Sequence, residues 1–223
     1  MMYWILFIGV AVLSYVVQAS FRKKMAKAAE LPLLNGMTGR DVAVRMLQDH
    51  GIHDVKVIST PGELTDNFNP TNKTVNLSEP VFAESNVAAA AVAAHECGHA
   101  VQHAQGYIPV KIRSALVPAV SFSSKIVPFI LLVGMLLLEV FPQLLWIGIA
   151  LFALTTLFSF VTLPVEINAS SRALAWLSAT DIIDPSNEEE AREALRAAAY
   201  TYVIAAISSL ATLLYYISIG RRN

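Results

Sequence analysis

The chain is poor in charge, poor in cysteine and without an excess of either sign of charge. Charged residues make up 15% of its 223 residues, whereas soluble domains run near a quarter. An ordinary water-soluble globule is therefore excluded. The net charge of −1 and pI near 6.5 offer no basic surface to a phosphate backbone, so no nucleic-acid partner is expected. One cysteine, Cys97, excludes an internal disulfide framework. No repeat and no low-complexity linker breaks the sequence. What is abundant is apolar: 55% of residues are hydrophobic and the mean hydropathy is +0.54.

The apolar residues come in runs. MMYWILFIGVAVLSYVVQAS (1–20) carries no charge and is long enough to cross a bilayer as a helix. Its basic cluster, Arg22, Lys23, Lys24 and Lys27, follows the run instead of preceding it, which predicts a retained anchor and not a cleaved leader. A second run covers 126–141. After a turn at Pro142 and Gln143, a third covers 144–164, and a fourth covers 197–220. Four spans are expected. The chain then divides into an anchor (1–21), a polar region (22–115), two spans (116–164), a helix carrying polar groups (165–185), and a polar helix start leading into the last span (186–223). Of the 16 basic residues, 14 lie in the segments around 22–125 and 165–196. The positive-inside rule therefore puts the polar bulk in the cytoplasm.

Within the polar region, 37–51 reads as a helix with Thr38 as its N-cap, Asp41 three residues on and Gly51 at its exit. Residues 54–60 alternate and are β-branched, which predicts a strand. Residues 64–78 predict a hairpin turning at Asn-Pro-Thr-Asn. Ser85 or Asn86 then caps a long helix from about Val87 to Gln105, ended by Gly106. His50 and His53 sit at a helix end and receive no role.

That long helix contains AVAAHECGHAVQHA, with three of the five histidines. His95-Glu96-Cys97-Gly98-His99 is an H-E-x-x-H motif. Positions four apart share a helix face, so both imidazoles can hold one Zn²⁺. Glu96, rotated by roughly 100°, reaches a water on the metal without taking a coordination place. A carboxylate there can act as general base and then general acid in hydrolysis. Chance would place this pattern in on the order of one chain in a hundred. Buried imidazoles and a carboxylate without partners would also be costly in an alanine-rich helix. His103 has drifted about 80° and 12 Å from His95, so it belongs beside the ion or in packing. The histidines are then exhausted, and a carboxylate is the expected third ligand. Glu166, in TLPVEINASSRALAWL (162–177), is the candidate. The two spans before it go out and back, returning it to the side of His95. The acids at 188–190 read as a solvated helix start, and Glu139 lies at the far turn.

AAHECGHAVQHA, followed after a pair of spans by LPVEINASSRAL, resembles the membrane-anchored neutral zinc metallopeptidases of the YugP type. More distantly the chain is similar to HtpX-like and CAAX prenyl protease-like membrane peptidases. The resemblance covers nearly the whole chain. It implies zinc ligation by His95, His99 and Glu166, with Glu96 catalytic. The distant relatives carry E-x-x-A-D after the third ligand. Here Ser170 stands in place of that aspartate, leaving a hydroxyl or Asn168 to support a histidine in a weaker way. The roles of His103, Ser170 and Arg172 stay open.

The expected fold is an α-helical membrane protein with a small β-sheet, its gluzincin-like H-E-x-x-H core packed on about four transmembrane helices. The expected function is a multi-pass, membrane-embedded endopeptidase with one Zn²⁺, its site on the cytoplasmic side. Its partners would be the lipid bilayer and a peptide or protein substrate, membrane proteins among the candidates. Two alternatives are a zinc-binding scaffold or assembly partner with little turnover, and a metal transporter. Glu96 discriminates, because a binding or transport site needs no base beside its ligands. The hairpin at 64–78 is expected to line the cleft, with an exposed edge towards the metal.

Overall fold

A computed structural model describes residues 2–221, with side chains from residue 7 onward. In order, the elements are α1 (Met2–Ala29), α2 (Gly39–Asp49), β1 (Lys56–Thr60), β2 (Asn67–Asn69), β3 (Thr74–Ser78), α3 (Glu79–Ala83), α4 (Val87–Ala104), α5 (Ile108–Leu136), α6 (Gln143–Ala179) and α7 (Glu188–Gly220).

Among the described residues, three helical stretches are long and apolar enough to cross a membrane: Ile108–Leu136, Gln143–Ala179 and Pro185–Gly220. The run expected to anchor the chain is helical from Met2, but Met1 and the side chains of residues 2–6 lie outside the described residues. The second span begins much earlier than its apolar run suggests. α5 starts at Ile108 and passes through Pro118 and Pro128. α6 likewise continues through Pro164 without a break, so the third span and the helix carrying Glu166 are one rod. Proline costs a helix its hydrogen bond to the i−4 carbonyl, yet neighbouring helices can support such a site in a membrane bundle.

α5 and α6 form a hairpin whose closed end is made by small residues. A Cβ on Gly134 would lie 2.8 Å from the Leu145 backbone, and one on Gly148 would lie 2.7 Å from the Leu131 side chain. Glycine is what lets the two helices approach there. α7 packs on the other partner-bearing flank of α6, where Thr156 and Ser209 share a hydrogen bond of 2.8 Å, and α1 packs on α7. Lys27 and Glu190 pair at 3.1 Å across α1 and α7. One of the acids read as purely solvated is thus tied to the basic cluster after the anchor.

The polar region folds around α4. Thr38 and Asp41 form a reciprocal capping box at the start of α2, and Gly51 leaves the helix with φ +70°. Val42, Ala43, Met46 and Leu47 make the buried stripe that packs on α4. Asn86, not Ser85, caps α4, its side chain accepting from the Ala89 N–H at 2.8 Å. Gly106 exits with φ +65°. His50 Nδ1 lies 2.8 Å from the Met46 carbonyl at the end of α2, a local helix-end contact.

The sheet has the order β1-β3-β2, with β1 parallel and β2 antiparallel to β3. The hairpin at 64–78 is present. β3, the strand nearest α4 in sequence, is central and covered on both sides, so β2 is the hairpin's free edge. Asp66, just before β2, accepts from the Ser78 N–H (2.8 Å) and from Ser78 Oγ, and so pins the edge strand to the end of β3.

Candidate metal centre

α4 carries the H-E-x-x-H motif against α6 at very close range. A Cβ on Gly98 would sit 2.7 Å from the carbonyl oxygen of Ala169. Real Cβ atoms essentially never come under 3.0 Å, so only glycine permits this crossing. The approach delivers Glu166 to the two histidines. Glu166 Oε2 lies 3.3 Å from His95 Nε2 and 3.5 Å from His99 Nε2. All three ligand atoms fall within 4.8 Å of one another. Glu166 is 2% exposed, and its Oε2 has no hydrogen-bond partner despite these neighbours.

The protonation pattern explains why. Gln102 Nε2 donates to the Val165 carbonyl (2.8 Å) and to Asn168 Oδ1 (3.0 Å). That fixes the amide, so Gln102 Oε1 can only accept, and it accepts from His99 Nδ1 at 3.0 Å. A neutral His99 therefore turns the lone pair of Nε2 towards Glu166. His95 Nδ1 has Ser170 Oγ at 3.0 Å, which leaves its Nε2 facing the same point. Nε2 of both imidazoles and Oε2 of Glu166 thus converge on one point, and a neutral His99 held by Gln102 offers a lone pair there. In a tetrahedral site with bonds near 2.0–2.2 Å, neighbouring ligand atoms stand roughly 3.3–3.5 Å apart. The two spacings to Glu166 Oε2 fit a zinc-sized ion.

Two residues whose roles were left open make contacts around these groups. Ser170 Oγ lies 3.0 Å from Nδ1 of His95, one of the two motif histidines. Arg172 acts further out: its Nε donates to Asn168 Oδ1 (2.7 Å) and its NH1 to Gln105 Oε1 (2.7 Å). Arg172, Asn168, Gln102 and His99 thus form one hydrogen-bonded series. His103 is not among the three convergent groups. Its ring sits edge-on to Phe68 at 5.9 Å, on the rim of the cleft.

The cleft itself is a cavity of about 560 Å³. Glu96, His99 and Glu166 lie in its floor; Asp66, Asn67 and Phe68 form one wall. The opposite side is supplied by Val110, Arg113 and Val117 of α5 and by Tyr202 of α7. Burial raises the Glu96 carboxyl above its ordinary value, with His95 and His99 pulling the other way. A carboxyl raised in this way is better suited to taking and returning a proton. Cys97, on the far face of α4, is fully buried, points its thiol at the Ala43 carbonyl, and is held protonated by that burial.

Three contributors were not anticipated. Gln102 stands three residues after His99, a spacing that shares a helix face, so its contact was available in principle. Arg113, whose NH1 lies 3.4 Å from Glu166 Oε1, and Tyr202 come from distant helices. No local pattern marks them.

With this geometry in hand, comparison with known proteins is specific. The sequence matches the family described as "Putative neutral zinc metallopeptidase" over residues 3–221. It is 38% identical over 219 residues to "Putative membrane protease YugP" of Bacillus subtilis (strain 168), covering 98% of this chain and 96% of that relative. No solved structure matches it.

Proposed function

The chain belongs to the family of putative neutral zinc metallopeptidases, and from that premise we propose a membrane-embedded zinc endopeptidase that cleaves peptide bonds with Glu96 as proton carrier. The observation that carries this reading is the convergence of three candidate ligand atoms, with a buried glutamate beside them, at one cleft.

His95, His99 and Glu166 would hold one Zn²⁺. The ion supplies Lewis acidity, which makes water a better nucleophile and polarises a carbonyl. Gln102 holds His99 in the tautomer that presents Nε2, and Ser170 orients the His95 ring. Arg113 engages Glu166 Oε1, so Oε2 is the oxygen that would be offered to the ion. Glu96 takes the proton of the attacking water and returns it to the leaving amine. The free edge of β2 pairs with the substrate backbone in extended form. α1 is the fourth span, and the cleft opens on the cytoplasmic side, in keeping with the basic residues around it.

The test is Glu96→Gln. The variant is expected to keep about one zinc per chain and the parent fold, and to lose at least 100-fold in peptide turnover, the lower range for general acid–base catalysis. Near-parental cleavage by this variant would falsify the assignment.

A further inference from the structure

The two walls of the cleft differ in kind. One is the polar edge of the sheet, with Asp66 and Asn67. The other is built from helices long and apolar enough to span a membrane: Val110, Arg113 and Val117 on α5, and Tyr202 on α7. Val117 and Tyr202 are exposed as well as cavity-lining. α5 and α7 each pack along α6 and barely meet one another. Glu166 of α6 lies at the bottom of the groove between them. The α5–α6 hairpin is clamped at its far end by Gly134 and Gly148. At the metal end, between Ile108 and Val117, only Val110 of α5 is buried. The cleft therefore has a side opening flanked by span helices.

Helix length places that opening in depth. At about 1.5 Å per residue, Glu166 stands about 35 Å from the start of α6 at Gln143, and Arg113 about 35 Å from the end of α5 at Leu136. Tyr202 stands about 27 Å from the end of α7 at Gly220. A hydrocarbon core is about 30 Å thick. Three separate helices thus put Glu166 and the cleft residues beside it at the boundary between hydrocarbon and water.

We propose that the cleft opens sideways into the bilayer between α5 and α7, and that its substrates are membrane polypeptides cut where an apolar span leaves the hydrocarbon on the metal's side. This rests on the peptidase reading. The apolar part of such a chain lies against the span helices, and its emerging extended part meets the edge of β2. Both walls are then used by one molecule. A soluble peptide uses only one of them.

The experiment uses the full chain in lipid vesicles of phosphatidylcholine and phosphatidylglycerol. The probe is a designed polypeptide with an apolar leucine–alanine segment of about 20 residues, followed by a polar tail of identical short repeats. Every repeat offers the same bonds, so position alone selects the cut. Cleavage is expected in the repeat next to the apolar segment, and the tail alone should be cut at least ten-fold more slowly. Equal cutting of all repeats, at the same rate with and without the apolar segment, overturns the proposal. A second readout needs no turnover. In Glu96→Gln protein, Val117→Cys or Tyr202→Cys is oxidised against cysteines placed along the apolar segment, with exposed Tyr15→Cys on α1 as control. Several-fold preference for positions 117 and 202 supports the side opening. No preference overturns it even if the probe is cut. Preferential cross-linking without cleavage by the parent protein would leave the opening standing and remove the peptidase reading.

Discussion

Gly98 sets two well-known effects against each other in one substitution. Gly98→Ala improves intrinsic helix propensity by about 1 kcal/mol, and in an isolated α4 it would stabilise. In the protein the added methyl meets the Ala169 carbonyl oxygen at 2.7 Å. Ordinary contact begins at 3.4 Å, so α4 and α6 must part by several tenths of an ångström. The atoms opposing the methyl are backbone on a helix held at both ends, and no flexible side chain can yield. Overpacking of this kind costs about 1–3 kcal/mol. The least resisted escape is to separate the helices where His95, His99 and Glu166 meet, because the contact lies between the two histidines in sequence. If the strain is released by losing metal, the zinc dissociation constant rises about 5- to 150-fold. Zinc competition with a chromophoric chelator, in detergent, reads this directly. A Gly98→Ala protein that melts higher and binds zinc as tightly as the parent would refute the reasoning, since propensity alone would then have decided the outcome.

Two further outcomes follow from contacts in the same region. Gln102→Leu removes the acceptor that His99 Nδ1 has among the described residues and frees the ring to rotate, so zinc affinity should fall about 10- to 100-fold; an unchanged affinity would show that packing alone holds the imidazole. Cys97 should resist maleimide in the folded protein and react fully after denaturation, because burial keeps the thiol protonated and out of reach; rapid labelling of the native state would contradict the packing of α4 on α2.

The motif helix, its histidines and Glu166 were legible because their chemistry is local: spacing on one helix, and a carboxylate stranded beside an apolar run. The caps Thr38 and Asn86 and the hairpin turn were legible for the same reason. Helix ends inside membrane-like sequence were not. Lys111, Arg113 and Pro118 dilute the start of α5 in any hydropathy reading, yet the helix is continuous from Ile108. Pro164 suggested a boundary, but α6 carries on through it. Sheet order was illegible too. The hairpin at 64–78 was expected at the cleft with an exposed edge, but nothing in the sequence showed that β1 would pair parallel to β3 and leave β2 as that edge. Arg113 and Tyr202 reach the cleft through tertiary packing alone, which no residue pattern near them records.

The unbroken passage of α6 from the far turn to Glu166 has a mechanical consequence. A ligand carried on a loop could rise and fall with respect to the lipid at little cost. Glu166 is fixed to a single rod whose other end is seated at Leu145 and Gly148 by glycine contacts. The depth of Glu166 relative to the edge of the hydrocarbon is therefore tied to acyl-chain length. Thickening or thinning the hydrocarbon shifts the rod by tilt or mismatch, at fractions of a kcal/mol per Å, and carries the reaction centre with it. If the cleft cuts emerging membrane chains as proposed, lipid composition becomes a ruler for where along such a chain the bond is presented.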